Sequence, residues 1–290
     1  TLATGGFSNH SLSISYYDSA YVEGVIIFFM FLAGINFSLH FHFLRGRLNA
    51  FWQNEEFRLY LGLIIGATII IMAANYFSGT ITTFDRNLRE VLFQVVSVIT
   101  TTGFGTADFD AWPPVCKVLL VALMFIGGCA GSTGGGIKVV RSLLFFKYAR
   151  LQIHRLVHPR QVGTIKFGNV KVPQEVLIGI LGFFALYIAF FLLASIMVTA
   201  MGVDILTGTT AVVATLNNIG PGLNLVGPTQ NFGHLPGLAK FVLIICMLAG
   251  RLELYTVAVL LTPGFWKMAR RPKFRPNLFP KKGTLPLKNS

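Results

Sequence analysis

The chain has 290 residues, 53% of them hydrophobic and 12% charged, with a mean hydropathy of +0.66 and a formal net charge of +13. Soluble domains carry about a quarter charged residues, so this composition excludes a water-soluble globule. Nor does the positive charge point to a nucleic-acid partner, because 19 of the 24 basic residues fall in three stretches, 40–58, 138–171 and 266–290, that sit between or beyond apolar runs.

From the N-terminus, residues 1–15 are polar and lack the basic-then-apolar pattern of a signal peptide. They contain TLATGGFSNHS, a glycine-bearing turn ahead of the first apolar run. Five runs, about 20–39, 58–77, 114–137, 175–201 and 237–262, are long and apolar enough to cross a hydrocarbon core, which takes roughly 20 helical residues. Between them, Leu88 to Thr100 and Thr207 to Asn217 are apolar but too short to cross, and each ends in polar residues and glycine. The expectation is a half-helix that enters and returns. Irregular backbone at membrane depth persists only where protein or water satisfies its polar groups, so these loops should line something wet.

If the spans alternate, residues 40–57, 138–174 and 266–290 share one side, which the positive-inside rule makes the cytoplasm. The tail, which has no acid, can also meet anionic lipid. The other side carries Asp18, Asp85, Asp108, Asp110 and Asp204. Such a mouth raises local cation concentration, with ordinary solvated loop charge as the competing reading. Span, short helix, glycine loop and span recur over 58–140 and 175–262, and residues 1–39 read as the second half of a further copy. The glycines expected to superpose are Gly5, Gly103 and Gly220.

A cation leaving water needs its hydration shell replaced, and inward-pointing backbone carbonyls do this without a fixed charge that would trap it. Glycine permits the unusual backbone this requires. The candidate filter positions are Thr4, Gly5 and Gly6, then Thr102, Gly103 and Phe104, then Asn218, Ile219 and Gly220.

Within 127–136, six glycines in ten residues interrupt what would otherwise be a helix from Pro114 to Arg150. At about 1 kcal/mol each against alanine, they predict a break. Gly127 and Gly131 have the spacing of a close helix-packing motif, which stays open. A phosphate loop does not fit, since Ile137 stands where that motif needs lysine. Farther on, Arg251 and Glu253 lie in an otherwise apolar run, and intramembrane charge is costly enough to mark function by default. Two positions apart on a helix they do not face each other. Arg251 is expected to point at the path opposite the glycine break, and a salt bridge to a neighbouring helix is the alternative, stronger for Glu253. Cys116, Cys129 and Cys246 read as small packing residues, and the histidines have no metal-ligand spacing. Nothing resembles a nucleophile with a placed base, so no enzymatic activity is expected.

TLATGGFSNHS, TTTGFGTADFDAWPP, GGCAGSTGGGIKVVR and GRLELYT together resemble the Trk/Ktr/HKT superfamily, most closely its bacterial TrkH/TrkG branch. The resemblance implies an all-α membrane protein of repeated membrane-pore-membrane units, with re-entrant pore helices and glycine filter loops around one ion path. It further implies that 1–57 ends a second pore repeat, 58–174 is a third with a broken span, 175–265 is a fourth and 266–290 is a basic cytoplasmic tail. By the same resemblance, potassium or rubidium is bound at Thr4, Gly5, Thr102, Gly103, Ile219 and Gly220. Gly131, Ser132, Thr133, Gly134, Gly135, Gly136 and Arg251 are then the gate. No organic cofactor is implied. The lipid bilayer of a bacterial inner membrane, a second copy in a homodimer and a cytoplasmic nucleotide-binding subunit of the TrkA type are the implied partners. From another class, an ion-coupled carrier of an organic solute would use the broken helix as its site.

Overall fold

The computed structural model describes residues 1–10, 12–47, 49–158 and 163–269. The chain divides into two units, Thr1–Leu254 and Tyr255–Ser290.

Among the described residues of the first unit, the regular structure is helical apart from one small hairpin. Its helices in order are α1 (Ala20–Ala33), α2 (Phe37–Leu44), the short α3 (Ala50–Gln53), α4 (Glu55–Phe77), α5 (Phe84–Ile99), α6 (Pro114–Ile126) and α7 (Val139–Val157). Strands β1 (Lys166–Phe167) and β2 (Val170–Lys171) form an antiparallel hairpin, followed by α8 (Gln174–Ala200), α9 (Ile205–Leu216) and α10 (Gly237–Arg251). The starts are written locally. Asn54 Oδ1 accepts from Phe57 N–H at 2.9 Å, Asp204 Oδ2 accepts from Leu206 N–H at 3.1 Å, and prolines open α6, α8 and α10. These are the residues that satisfy or dispense with the orphan amides of a first turn.

Among the described residues, α4 and α8 are single straight helices long and apolar enough to cross a bilayer. The run 20–39 is not one continuous helix: α1 and α2, apolar and long enough together to cross, meet at 98° across Gly34–Asn36. Asn36 caps α2, accepting Ser38 N–H at 2.8 Å, so the chain restarts rather than continues. The run 237–262 is also interrupted. Helix α10 stops at Arg251, and Glu253 is left-handed with φ 64°. Thus Arg251 and Glu253 are not two residues of one helix, and the argument from their spacing fails. The basic stretch 138–171 is helical only to Val157 and then turns into the hairpin, with 159–162 outside the described residues.

The two expected half-helices are α5 and α9, of 16 and 12 residues. At 1.5 Å per residue they span roughly 24 and 18 Å, short of the ~30 Å hydrocarbon core. Both are sheathed: α5 packs against α4, α6 and α1, and α9 against α8, α10 and α6. Phe93, Val95, Val96, Val98 and Ile99 of α5 and Ala211 to Leu216 of α9 are buried. Cys116, Cys129 and Cys246 are buried and serve as small packing residues. The second unit contains α11 (Leu254–Leu261), apart from its first residue, and α12 (Pro263–Ala269). Most of the basic tail, residues 270–290, lies outside the described residues.

Candidate functional site

Both half-helices end the same way. Thr101 N–H donates to Val98 O at 3.0 Å and Thr102 N–H to Ser97 O at 2.9 Å. Asn218 N–H donates to Thr215 O at 3.0 Å and Ile219 N–H to Ala214 O at 2.8 Å. This paired closure of the last turn requires a left-handed residue just past the helix. Here that residue is Thr101, φ 57°, or Asn218, φ 55°, rather than glycine. Two residues on, Gly103 and Gly220 are again at positive φ, 82° and 120°. The first loop repeats the pattern: Thr4 N–H donates to Thr1 O at 3.1 Å, Thr4 has φ 50° and Gly6 has φ 62°. Thr4, Thr101 and Asn218 are therefore equivalent, as are Gly6, Gly103 and Gly220. The superposition on Gly5 was one residue out of register, because glycine identity alone does not say which of two neighbours carries the positive φ.

The loops stand side by side. A methyl built on Gly6 would fall 1.9 Å from the carbonyl oxygen of Thr102, and one on Gly103 would fall 1.7 Å from that of Ile219. Gly6 and Gly103 thus each abut a carbonyl of the next loop, so Thr102 and Ile219 hold matching places in a row of three loops. The C-terminal ends of α5 and α9, with their partial negative charge, aim at these loops. A β-branched residue at positive φ is a genuine outlier costing about 1–2 kcal/mol. Strain of this kind persists where its surroundings over-determine it, which is typical of functional sites. Phe104 departs from the expected filter set: its carbonyl accepts from Ser97 Oγ at 2.7 Å, facing α5.

Residues 127–138 break the chain between α6 and α7 as the glycines require, with Gly127, Gly131 and Gly136 at φ 74°, 68° and 78°. This loop touches every filter loop. Thr4 Oγ1 donates to Thr133 O at 2.9 Å, Gly135 N–H donates to Thr101 Oγ1 at 2.6 Å, and a methyl on Gly135 would lie 2.3 Å from Asn217 O. Thr133 O also accepts from Arg251 Nη1 at 3.1 Å. Arg251 therefore meets the loop itself, as its expected place opposite the break requires. Ser132 Oγ turns back onto Cys129 O at 2.6 Å, and Gly131 O accepts Phe37 N–H at 3.1 Å, seating the loop in the α1–α2 bend. Below lies a cavity of about 210 Å³ lined by Thr133, Lys138, Arg141, Tyr187, Arg251 and Glu253, among others. Glu253 pairs with Arg141 at 3.1 Å, the structural role offered as its alternative.

These features have a counterpart among known proteins. A family model described as TrkH, cation transport protein, matches residues 1–267. The chain belongs to the TrkH family. The Trk system potassium uptake protein TrkH of Salmonella typhimurium is 44% identical over 272 residues, covering 92% of this chain and 55% of that protein. TrkG of Escherichia coli K12 is 34% identical over 268 residues, with the same two coverages. The crystal structure of the potassium transporter TrkH from Vibrio parahaemolyticus matches with a TM-score of 0.86 at 41% identity, covering 91% of this chain and 57% of that one. The chain spans about half the length of the curated relatives it matches. It is an all-α membrane protein with re-entrant helices.

In this TrkH-family chain, four of the five acids expected at a cation-attracting mouth have structural partners. Asp204 caps α9, Asp110 pairs with Lys117 at 3.0 Å and accepts Asn224 N–H at 2.9 Å, Asp108 accepts from Asp110 N–H at 3.1 Å, and Asp18 lies 3.5 Å from Arg89. Ordinary structural charge accounts for these four. Sequence reasoning passed over Thr101, Asn217 and Tyr187, whose hydroxyl donates to Asn217 Oδ1 at 2.8 Å behind the third loop. The available signal was Tyr187 as a polar-tipped residue in the long apolar run 175–201.

Proposed function

We propose that this chain builds three filter loops and the gate of a potassium-uptake protein of a bacterial inner membrane. The observation that carries the reading is the row of three equivalent loops, in which Gly6 abuts Thr102 O and Gly103 abuts Ile219 O. Carbonyls aligned in this way replace a hydration shell and discriminate by number and field strength. The relatives are named as potassium uptake proteins. In this reading the filter ligands come from Thr4, Gly5, Gly6, Thr102, Gly103, Asn218, Ile219 and Gly220, with potassium and rubidium preferred over sodium. Residues 1–57, 58–174 and 175–265 end a second repeat and form a third and a fourth, with 40–57, 138–174 and 266–290 cytoplasmic. A second copy and a cytoplasmic nucleotide-binding subunit of the TrkA type complete the assembly, and no enzymatic step is involved.

The gate is the loop from Gly131 to Gly136 with Arg251. Its support is the convergence of Thr4 Oγ1 and Arg251 on Thr133 O, directly against the inner ends of the filter loops. A cation leaving the filter would meet loop backbone and then a fixed positive charge. Opening has to break these bonds. The test is cation uptake into liposomes bearing the native gene product that contains this chain. Rubidium uptake exceeding sodium uptake is expected. Absence of cation flux would discard the filter reading in favour of a solute carrier centred on the break.

A further inference from the structure

We infer that the carboxylate of Glu56 is a latch that holds both ends of the glycine loop from a neighbouring helix. Glu56 lies in the first turn of α4 and is 3% exposed. An acid there ordinarily serves its own helix, where it complements the partial positive charge of the N-terminus. This one reaches away. Its Oε1 accepts Ala130 N–H at 2.6 Å and Val140 N–H at 3.2 Å, 74 and 84 positions along the chain. Those two amides flank the entire segment 131–139, so a single oxygen ties the entry and exit of the loop together.

The exit needs an outside acceptor. Helix α7 begins at Val139 without a side-chain cap and without an acid in its first turn, and the residue at its cap is Lys138, whose side chain has no acceptor. The amide of Val140 is one of the four that a helix start leaves orphaned, and Glu56 supplies what the local sequence withholds. At the entry, six glycines in 127–136 give the backbone freedom that has to be restrained somewhere. Backbone bonds add to the clamp, with Lys138 N–H donating to Ile126 O at 2.9 Å and Val139 N–H to Gly128 O at 3.0 Å. These bonds lie on the same side of the loop as Glu56, away from the tip at Thr133. The latch thus fixes the stem, whereas the tip at Thr133 is held by separate bonds to Thr4, Arg251 and Ala33. Adjacent Glu55 has a different partner, Lys147 on α7.

Glu56 is a positioning residue, and its effect on transport rests on the loop being the gate. The experiment separates the two. Amide hydrogen exchange over 128–141 and rubidium uptake are measured on the native gene product in lipid, for Glu56→Ala, Glu56→Asp, Glu56→Gln and the control Glu55→Gln. Gln keeps an acceptor oxygen at the same reach, whereas Asp is one methylene short and Ala has none. The expected result is exchange faster by roughly tenfold in Ala and Asp, within the worth of one hydrogen bond to a neutral or charged acceptor, with Gln and the Glu55 control near the parent. Faster exchange with raised resting uptake supports both latch and gate. Faster exchange with unchanged uptake supports the latch and removes the gate reading. Unchanged exchange in Ala or Asp, or Gln as fast as Ala, overturns the latch.

Discussion

Replacing single filter glycines by alanine separates the register found here from the one expected on sequence. At Gly103, φ 82°, an alanine methyl would sit 1.7 Å from Ile219 O. Against an ordinary non-bonded separation of roughly 3.5 Å, that carbonyl must move by about 1.8 Å. The left-handed backbone adds about 1–2 kcal/mol and the overpacking about 1–3 kcal/mol. At Gly6, φ 62°, the methyl would lie 1.9 Å from Thr102 O, with the same consequence. At Gly5, by contrast, φ is not in the left-handed region and the nearest atom is Phe7 Cδ2 at 3.5 Å, an ordinary contact. Rubidium and sodium uptake into proteoliposomes is the assay. Gly6→Ala and Gly103→Ala are expected to lose rubidium uptake or its preference over sodium, and Gly5→Ala to keep both. Equal damage at all three glycines, or an intact preference in Gly103→Ala, would refute the row of abutting loops.

Arg251→Gln removes the charged donor from Thr133 O, and resting rubidium uptake is expected to rise about fivefold, the effect of about 1 kcal/mol on a two-state equilibrium; unchanged uptake would take Arg251 out of the gate. Tyr187→Phe leaves the buried Asn217 Oδ1 without its 2.8 Å donor, so thermal unfolding in detergent should show a loss of about 1–3 kcal/mol, and an unshifted melting temperature would mean that the amide finds another partner. Glu253→Gln weakens the pair with Arg141, whose side chains are 23% and 55% exposed. Its cost to stability should stay within about 1 kcal/mol, measured the same way, and a larger loss would give Glu253 a role beyond that pair.

The sequence alone determined what depends on local composition. Apolar runs with few charges specify membrane helices, because nothing else buries that much hydrocarbon. Two runs too short to cross, each ending in polar residues and glycine, specified α5 and α9. Six glycines in ten residues specified the break at 127–138, since no helix absorbs that much lost propensity. Tertiary structure decided the rest. The letters Thr4-Gly5-Gly6 fit two registers, and only the bonds at the end of each loop select the one in which a threonine, not the first glycine, is left-handed. The bend at Gly34–Asn36 escaped detection because hydropathy averages over a kink that the seated glycine loop requires. Glu56 reads as an ordinary first-turn acid until residues 74 and 84 positions away fold onto it. Hydrophobic partition is written residue by residue, whereas hydrogen-bond partners far apart in the chain exist only once packing has brought them together.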